Sequence, residues 1–406
     1  MLNTVLAHGF LNSRTSLIST MTSQTLTIEL DNRSRSSNVY AFITGLAIER
    51  SNAVFLLRAD GRTPYFPASP SSPGQRLAQD CAIPLGAPGS VTRATIPRIA
   101  GGRIWFSVNS KLTFLLNPGP ALVEPSVTNP SDPNIQSDWG FCEFTFNAAQ
   151  LFANISYVDF VSPVPIALTL VDTAGKTERV AGMPSNGLDK VCAGLVKQSA
   201  TDGQGWKSLI VKSPQGRNLR ALSPNNGIVM NRSLFSGYFR PYVERVWAKF
   251  GQGAIHVDTQ AAPGKVSGRV SSGALTFGGG GSFRQPSTAD IFSCSTGPFE
   301  TGGASPERLA IIPRLAAGFN RSTLLRNSTT HPEPSGTSKD YYKEPITNHY
   351  SRLVHEANSD TRGYAFPYDD VAPTGGRDES GAVFGNPRAF KVTVGGSQVD
   401  EIKGEL

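Results

Sequence analysis

The stretch Trp139-Gly-Phe-Cys-Glu-Phe-Thr-Phe-Asn147, followed by Leu151-Phe-Ala-Asn-Ile-Ser-Tyr-Val-Asp-Phe-Val161, decides how this chain is read. Glu143, Thr145 and Asn147 alternate with Phe144 and Phe146, so a strand here has one polar face and one apolar face. Residues 147–150 supply a turn, and the second segment reads as the returning strand. On it Asn154 and Ser156 share a face. Asp159 breaks the alternation, which calls for a bulge near Tyr157–Val158 if all three point into one groove. Paired antiparallel about the turn, the two strands would bring Glu143 and Asp159 near each other across the ladder. Two carboxyl groups beside aromatic rings can divide acid and base work at an acetal, one protonated for the leaving oxygen, the other ionised to activate water. Spacing alone favours a plainer alternative, a solvated strand glutamate and an aspartate that caps a turn.

Outward from this hairpin, residues 25–180 read as a β domain. Val39–Ile43, Ala53–Leu57, Arg103–Val108 and Leu112–Leu116 are β-rich runs bounded by turn residues, and the Pro-rich segments Pro64–Pro73 and Pro118–Pro133 read as surface loops. From about residue 181 to 398 the period changes to that of a mixed α/β domain. Helices are expected after Ser185 or Asn186 (one face Leu188, Val191, Cys192, Leu195, Val196), from Pro241 to Phe250, from Glu307 to Leu325 with an interruption near Pro313, and from Thr347 to Asn358. Strands within 253–282 and 388–396 are candidates to return to the β domain. The run Gly278-Gly-Gly-Gly-Ser282 lacks the Lys-Ser/Thr of a phosphate loop and reads as a strand end. The fold class is therefore β-rich α+β, a barrel- or sandwich-like β domain beside a mixed α/β domain with a wide groove between.

Composition agrees. The 406 residues carry 38 Lys+Arg against 31 Asp+Glu, a net +7, with 41 Gly and 29 Pro. Charged residues are 17%, against roughly 25% in ordinary soluble chains, which argues against coiled coils and long bundles. No apolar run is long enough to span a bilayer, so no membrane partner is expected. The positive residues are scattered without a basic run, so nucleic acid is not an expected partner either. Cys81, Cys142, Cys192 and Cys294 include no CxxC pair and read as buried small side chains, with disulfide pairing open. Residues 1–24 read as a leader or disordered N-terminus. Asn3, His8, Asn12, Ser13 and Arg14 break any secretory core there, and Met21 is a candidate start. Sequons at Asn32, Asn154, Asn231, Asn320 and Asn327 matter only in a secretory pathway.

Taken together, Glu143–Asn147 and Asn154–Val161 resemble the signature of glycoside hydrolase family 64, the thaumatin-like β-1,3-glucanases. Val191-Cys-Ala-Gly-Leu195, Tyr238-Phe-Arg-Pro-Tyr-Val243, Asp290-Ile-Phe-Ser-Cys-Ser-Thr-Gly-Pro298, Asn348-His-Tyr350 and Gly363-Tyr-Ala-Phe-Pro-Tyr-Asp-Asp-Val371 resemble it in the expected order. The resemblance spans residues 25–395. It implies an endo-acting, inverting hydrolase of β-1,3-glucan that needs no cofactor and no metal. The family's Glu and Asp sixteen positions apart match Glu143 as general acid and Asp159 as general base. Thr145, Asn147 and Ser156 fall where the family binds sugar hydroxyls, and Asn154 joins them as a substrate contact. Phe152 falls where a stacking Trp is expected. The resemblance also implies an extracellular enzyme, with a cytoplasmic one as the alternative, and a monomer is expected.

Asp369 and Asp370 sit in an aromatic-rich loop, a combination that suits sugar hydroxyls, although a solvated acidic turn is an equal alternative. Trp139 either flanks the site or fills the core. The histidines lack HExxH spacing, and Ser293 and Ser295 lack the G-x-S-x-G elbow. The competing reading is a thaumatin-like module that binds β-glucan without cutting it.

Overall fold

The structure, a computed structural model, describes residues 21–334 and 336–396. It divides into two compact units. The first runs to Ser156, resumes over Ser162–Gly187 and takes in the chain from Gly381; the second comprises Tyr157–Val161 and Leu188–Ser380. The strands between 253 and 282 therefore stay with the second unit, and the strand Pro387–Val394 joins the first.

The first unit holds two large sheets. One has five strands in the order Thr177–Val180, Ile166–Asp172, Pro387–Val394, Thr25–Asn32, Val91–Pro97. Its register lines up Leu170, Phe390, Ile28 and Ala94 in one row and Leu168, Val392 and Leu30 in the next. All seven are buried, so the period-two apolar pattern of each strand becomes one continuous face. The other sheet runs Ala382–Gly385, Leu151–Asn154, Asp138–Phe146, Ile99–Val108, Val39–Ala47, Ala53–Leu57, Pro64–Tyr65, with Ile83–Pro84 paired beside Val39–Ala47.

The returning strand of the hairpin ends at Asn154, earlier than the sequence suggests. Glu143 pairs with Asn154, Phe144 with Ala153, Thr145 with Phe152 and Phe146 with Leu151. The ladder does not reach Asp159, and the expected bulge at Tyr157–Val158 is replaced by irregular chain. The reason lies in Tyr157. Its N–H donates to the Tyr364 carbonyl at 2.8 Å and its carbonyl accepts from the Tyr350 hydroxyl at 2.7 Å, so neither is available to the sheet. Phe160–Val161 then pairs with Asn218–Leu222 in the second unit.

Two other expectations are revised. Of Leu112–Leu116, only Leu115 and Leu116 lie in a strand, Leu115–Asn117. The Asn134 side chain takes the N–H of Thr113 at 2.8 Å and its carbonyl at 2.9 Å, standing in for a neighbouring strand. Residues 21–24 are not disordered, whereas the rest of the expected leader lies outside the described residues. Thr22 is buried, donating from its N–H to Ala148 O at 3.0 Å and from Oγ1 to Asn147 O at 2.6 Å. The four cysteines are buried and unpaired. Asn32, Asn154 and Asn320 are buried too, which removes three of the five sequons as glycan acceptors in the folded chain.

The second unit carries α1 (Gly187–Asp202), α2 (Pro224–Met230), α3 (Arg240–Gln252), α4 (Thr288–Ser293), α5 (Pro306–Asn320) and α6 (His349–Ala357). A five-stranded sheet, Gly281–Phe283, Ala274–Phe277, Lys265–Ser271, Ile255–Asp258, Thr330–His331, lies in the same unit. The glycine run is the turn that leads from Ala274–Phe277 into Gly281–Phe283. Helix α5 runs through Pro313 without a break. The carbonyl four residues earlier belongs to Leu309, which is 42% exposed, so the bond Pro313 cannot make falls on the solvent side. Trp206, Phe235, Tyr238, Phe239 and Phe292 pack ring on ring, with Trp206 and Phe235 4.5 Å apart. Each large apolar side chain buried in this way contributes about 1.5–3 kcal/mol. No helix among the described residues is long and apolar enough to cross a membrane.

Candidate active site

Residues directly opposite one another in a sheet share a face, so register assigns the polar groups to one row. Thr44 pairs with Arg103, Arg103 with Glu143, Glu143 with Asn154 and Asn154 with Ala382. Two residues along, Thr145, Phe152 and Phe384 make a parallel row on the same face. Two residues along in the opposite direction, still on the same face, Phe42, Trp105 and Phe141 make an aromatic row. Phe114 packs against Phe42 and Trp105, and Trp139 lies against Trp105 and Phe141. Trp139 is 2% exposed and donates to Asn134 O at 3.2 Å, so it belongs to the core.

Arg103 stands between two carboxylates. Its Nε and Nη2 donate to Glu143 Oε1 at 3.2 and 3.1 Å, and its Nη1 donates to Glu124 Oε2. Its guanidinium carbon lies 5.0 Å from the Phe141 ring centre and 5.5 Å from that of Trp105. Glu124 also accepts from Thr44 Oγ1 at 3.4 Å, and Thr44 Oγ1 receives Trp105 Nε1 at 3.0 Å. Burial pushes the Glu124 carboxyl above its ordinary range. The charge of Glu143 adds to that push, and Arg103 and the Thr44 hydrogen bond offset part of it. The Glu143 side chain is 34% exposed, open to a ligand from the solvent side.

Asp159 is held in the second unit against the N-terminal end of α2. Its carbonyl accepts from Ser223 N at 2.9 Å and Asn226 Nδ2 at 3.0 Å, and Oδ1 faces the same amide at 3.4 Å. Tyr157, two residues earlier, is fixed by Tyr350 and Tyr364 and donates its own hydroxyl to Asn358 Oδ1 at 3.0 Å. Asp159 thus projects from a tethered loop and not from a strand. No group of three or more His, Cys, Asp or Glu among the described residues is arranged to hold a metal ion.

The family model for glycoside hydrolase family 64, described as beta-1,3-glucanase, matches residues 24–394. The chain belongs to this family. A glucan endo-1,3-beta-glucosidase of Cellulosimicrobium cellulans is 29% identical over 303 residues, 72% of this chain and 52% of that protein. The chain thus spans about half the length of this relative. A laminaripentaose-producing beta-1,3-glucanase solved with laminaritetraose is 31% identical with a TM-score of 0.79, covering 92% of this chain and 99% of that one. The beta-1,3-glucanase domain of Clostridium beijerinckii shares the fold at 20% identity and a TM-score of 0.72, covering 92% of this chain and 99% of that one.

Within this family 64 chain the other expected residues fall in different settings. Asn147 Oδ1 accepts from Ala149 N at 2.8 Å and Gln150 N at 3.0 Å, which shapes the hairpin turn. Phe152 is half-buried, and Asn154 and Ser156 are buried. Asp370 is exposed. Asp369 has no exposed surface, and its oxygens accept from Arg321 Nη2 at 2.8 Å, His355 Nε2 at 3.0 Å and Ala365 N at 3.0 Å. A sugar hydroxyl finds no access to it, and the expected substrate contact is corrected to an internal ion pair. His349 is a satisfied structural histidine, with Nε2 at 3.1 Å from Pro345 O and Nδ1 facing Arg352 Nε at 3.2 Å. Sequence reading missed Arg103 and Glu124. Arg103 was visible as a polar residue two positions before Trp105 and so on the same strand face, but Glu124 lies in a Pro-rich segment read as an ordinary loop.

Proposed function

We propose that this protein is an endo-acting, inverting hydrolase of β-1,3-glucan, working as a monomer without a cofactor. The observation that carries the reading is the family match over residues 24–394, joined by 31% identity to the laminaripentaose-producing enzyme across nearly its whole chain. Glu143 is the general acid and Asp159 the general base. Glu143 protonates the glycosidic oxygen as the bond to the anomeric carbon breaks. Asp159 takes a proton from the water that adds on the opposite face. Inversion asks for roughly 6.5–9.5 Å between the two carboxyl groups, room for that water. Thr145, Asn147, Asn154, Ser156 and Asp370 supply hydrogen bonds to sugar hydroxyls, and Phe152 supplies a flat apolar surface in place of a Trp.

The test is Glu143→Gln and Asp159→Asn on a linear β-1,3-glucan, with circular dichroism to confirm folding. Each variant is expected to lose activity by about a hundredfold or more. A folded variant with near wild-type activity would remove that residue from its role. Proton NMR of the first product should show the α-anomer, and an initial β-anomer would overturn inversion. Affinity for glucan with no reducing ends released would point to a binding protein.

A further inference from the structure

An acid catalyst must hold its proton at the working pH, yet Glu143 accepts two bonds from an arginine. An unshared guanidinium at this range lowers a carboxyl by about 1–3 units, which would leave the acid ionised. Arg103 is not unshared, because Glu124 occupies its other edge. With both glutamates ionised the three groups carry one excess negative charge, and a single added proton neutralises them. We infer that Glu124 and Glu143 hold one proton between them across Arg103, Glu124 being a positioning residue that keeps Glu143 from being fixed as a lone carboxylate against the guanidinium.

The arrangement is built for this. Thr44, itself oriented by Trp105, donates to Glu124, and the aromatic row beneath Arg103 holds the cation in place. Among the described residues Glu143 meets the charge of Arg103 from the strand Ile99–Val108 and that of Glu124 from just beyond the strand Ala121–Val123, and on the proposed mechanism the Asp159 carboxylate faces it across the scissile bond in every variant alike; the Cys142 thiol lies on the opposite, buried face. Both Arg103 bonds to Glu143 use Oε1, so the transferable proton is assigned to Oε2. In the step it serves, that proton passes to the departing oxygen, the carbon–oxygen bond breaks, and the water that replaces it yields its own proton to Asp159. The inference rests on Glu143 being the general acid.

The experiment follows the side-chain carboxyl carbons of Glu124 and Glu143 by NMR titration of protein labelled at glutamate, with Glu143→Gln and Glu124→Gln providing the assignments. In the wild type both resonances should titrate in two shared steps, the behaviour of a coupled pair. In Glu124→Gln the Glu143 midpoint should fall by about one pH unit or more, and the alkaline limb of kcat should fall with it. In Arg103→Gln the midpoint should rise, and Glu124→Asp should restore the wild-type value. Independent single-step titrations in the wild type, or an unmoved Glu143 midpoint in Glu124→Gln, would overturn the pair. Full activity in Glu143→Gln would instead defeat the assignment of the acid, while the titration would still decide whether the pair shares a proton.

Discussion

Asp369 Oδ2 and His355 Nε2 stand 3.0 Å apart, and His355 Nδ1 faces the Thr361 carbonyl at 3.0 Å. Both ring nitrogens thus meet acceptors, the arrangement of an imidazolium. Burial alone would lower His355, but the charge and hydrogen bond of Asp369, helped by Thr361, outweigh it and raise the group. Burial likewise pushes Asp369 up, and His355 and Arg321 together hold it below the ordinary carboxylate range.

The sign for stability follows from linkage. His355, raised in the folded chain, contributes stability that is complete below its unfolded value of 6.5 and is lost as pH rises through the higher folded value. Asp369, lowered in the folded chain, contributes stability that is present above 3.8 and is lost as pH falls through the folded value. His355→Gln should therefore melt well below the wild type at pH 6, with the gap narrowing at pH 9. Thermal melts across that range check it, and a gap that widens toward alkaline pH would reverse the assignment.

His331 should act with the opposite sign. It is 2% exposed, neither ring nitrogen has a hydrogen-bond partner among the described residues, and burial, reinforced by Lys249, lowers it to about 3. A depressed histidine contributes stability that is present above 6.5 and drains away as pH falls toward the folded value. His331→Leu removes the titrating group while keeping an apolar filler beside Phe250. Relative to the wild type, its melting temperature should rise as pH is lowered from 7.5 to 4.5. A constant difference over that range would show that His331 does not titrate on unfolding.

The alternation of Glu143, Thr145 and the phenylalanines was legible because a strand's two faces are a local property of its sequence. Asp159 was not, since its placement depends on Tyr157 meeting the Tyr350 hydroxyl 193 residues further along the chain. The same holds for Asp369. Its aromatic neighbours are those of a sugar site, and it is His355 together with Arg321, 48 residues away, that makes it an interior ion pair. Glu124 was hidden because nothing in a Pro-rich segment announces that one side chain folds back onto an arginine 21 positions earlier.

Thr22 offers a test of how the hairpin is anchored. Its hydroxyl reaches Asn147 O at 2.6 Å and its own carbonyl accepts from Arg98 Nη2 at 2.7 Å, pinning the turn that follows Thr145. Thr22→Val keeps the shape and deletes the hydroxyl. A loss of about 1 kcal/mol is expected from chemical denaturation, the net value of one such bond. No measurable loss would mean that the turn is held by its own Asn147 cap.

Asn154 separates a structural role from a binding one. It pairs with Glu143 across the ladder, is 7% exposed, and its Oδ1 has no hydrogen-bond partner among the described residues. A buried acceptor left unpaired costs about 1–3 kcal/mol, so the fold itself gains nothing from this oxygen. On the proposed reading, a glucan hydroxyl supplies the missing donor. Asn154→Leu, close in size, should then match or exceed the wild-type melting temperature while raising KM about two- to tenfold, the value of one hydrogen bond. Stability and affinity moving apart is the signature of a group kept for its ligand. If the variant loses stability and KM stays put, Asn154 serves the sheet and not the sugar.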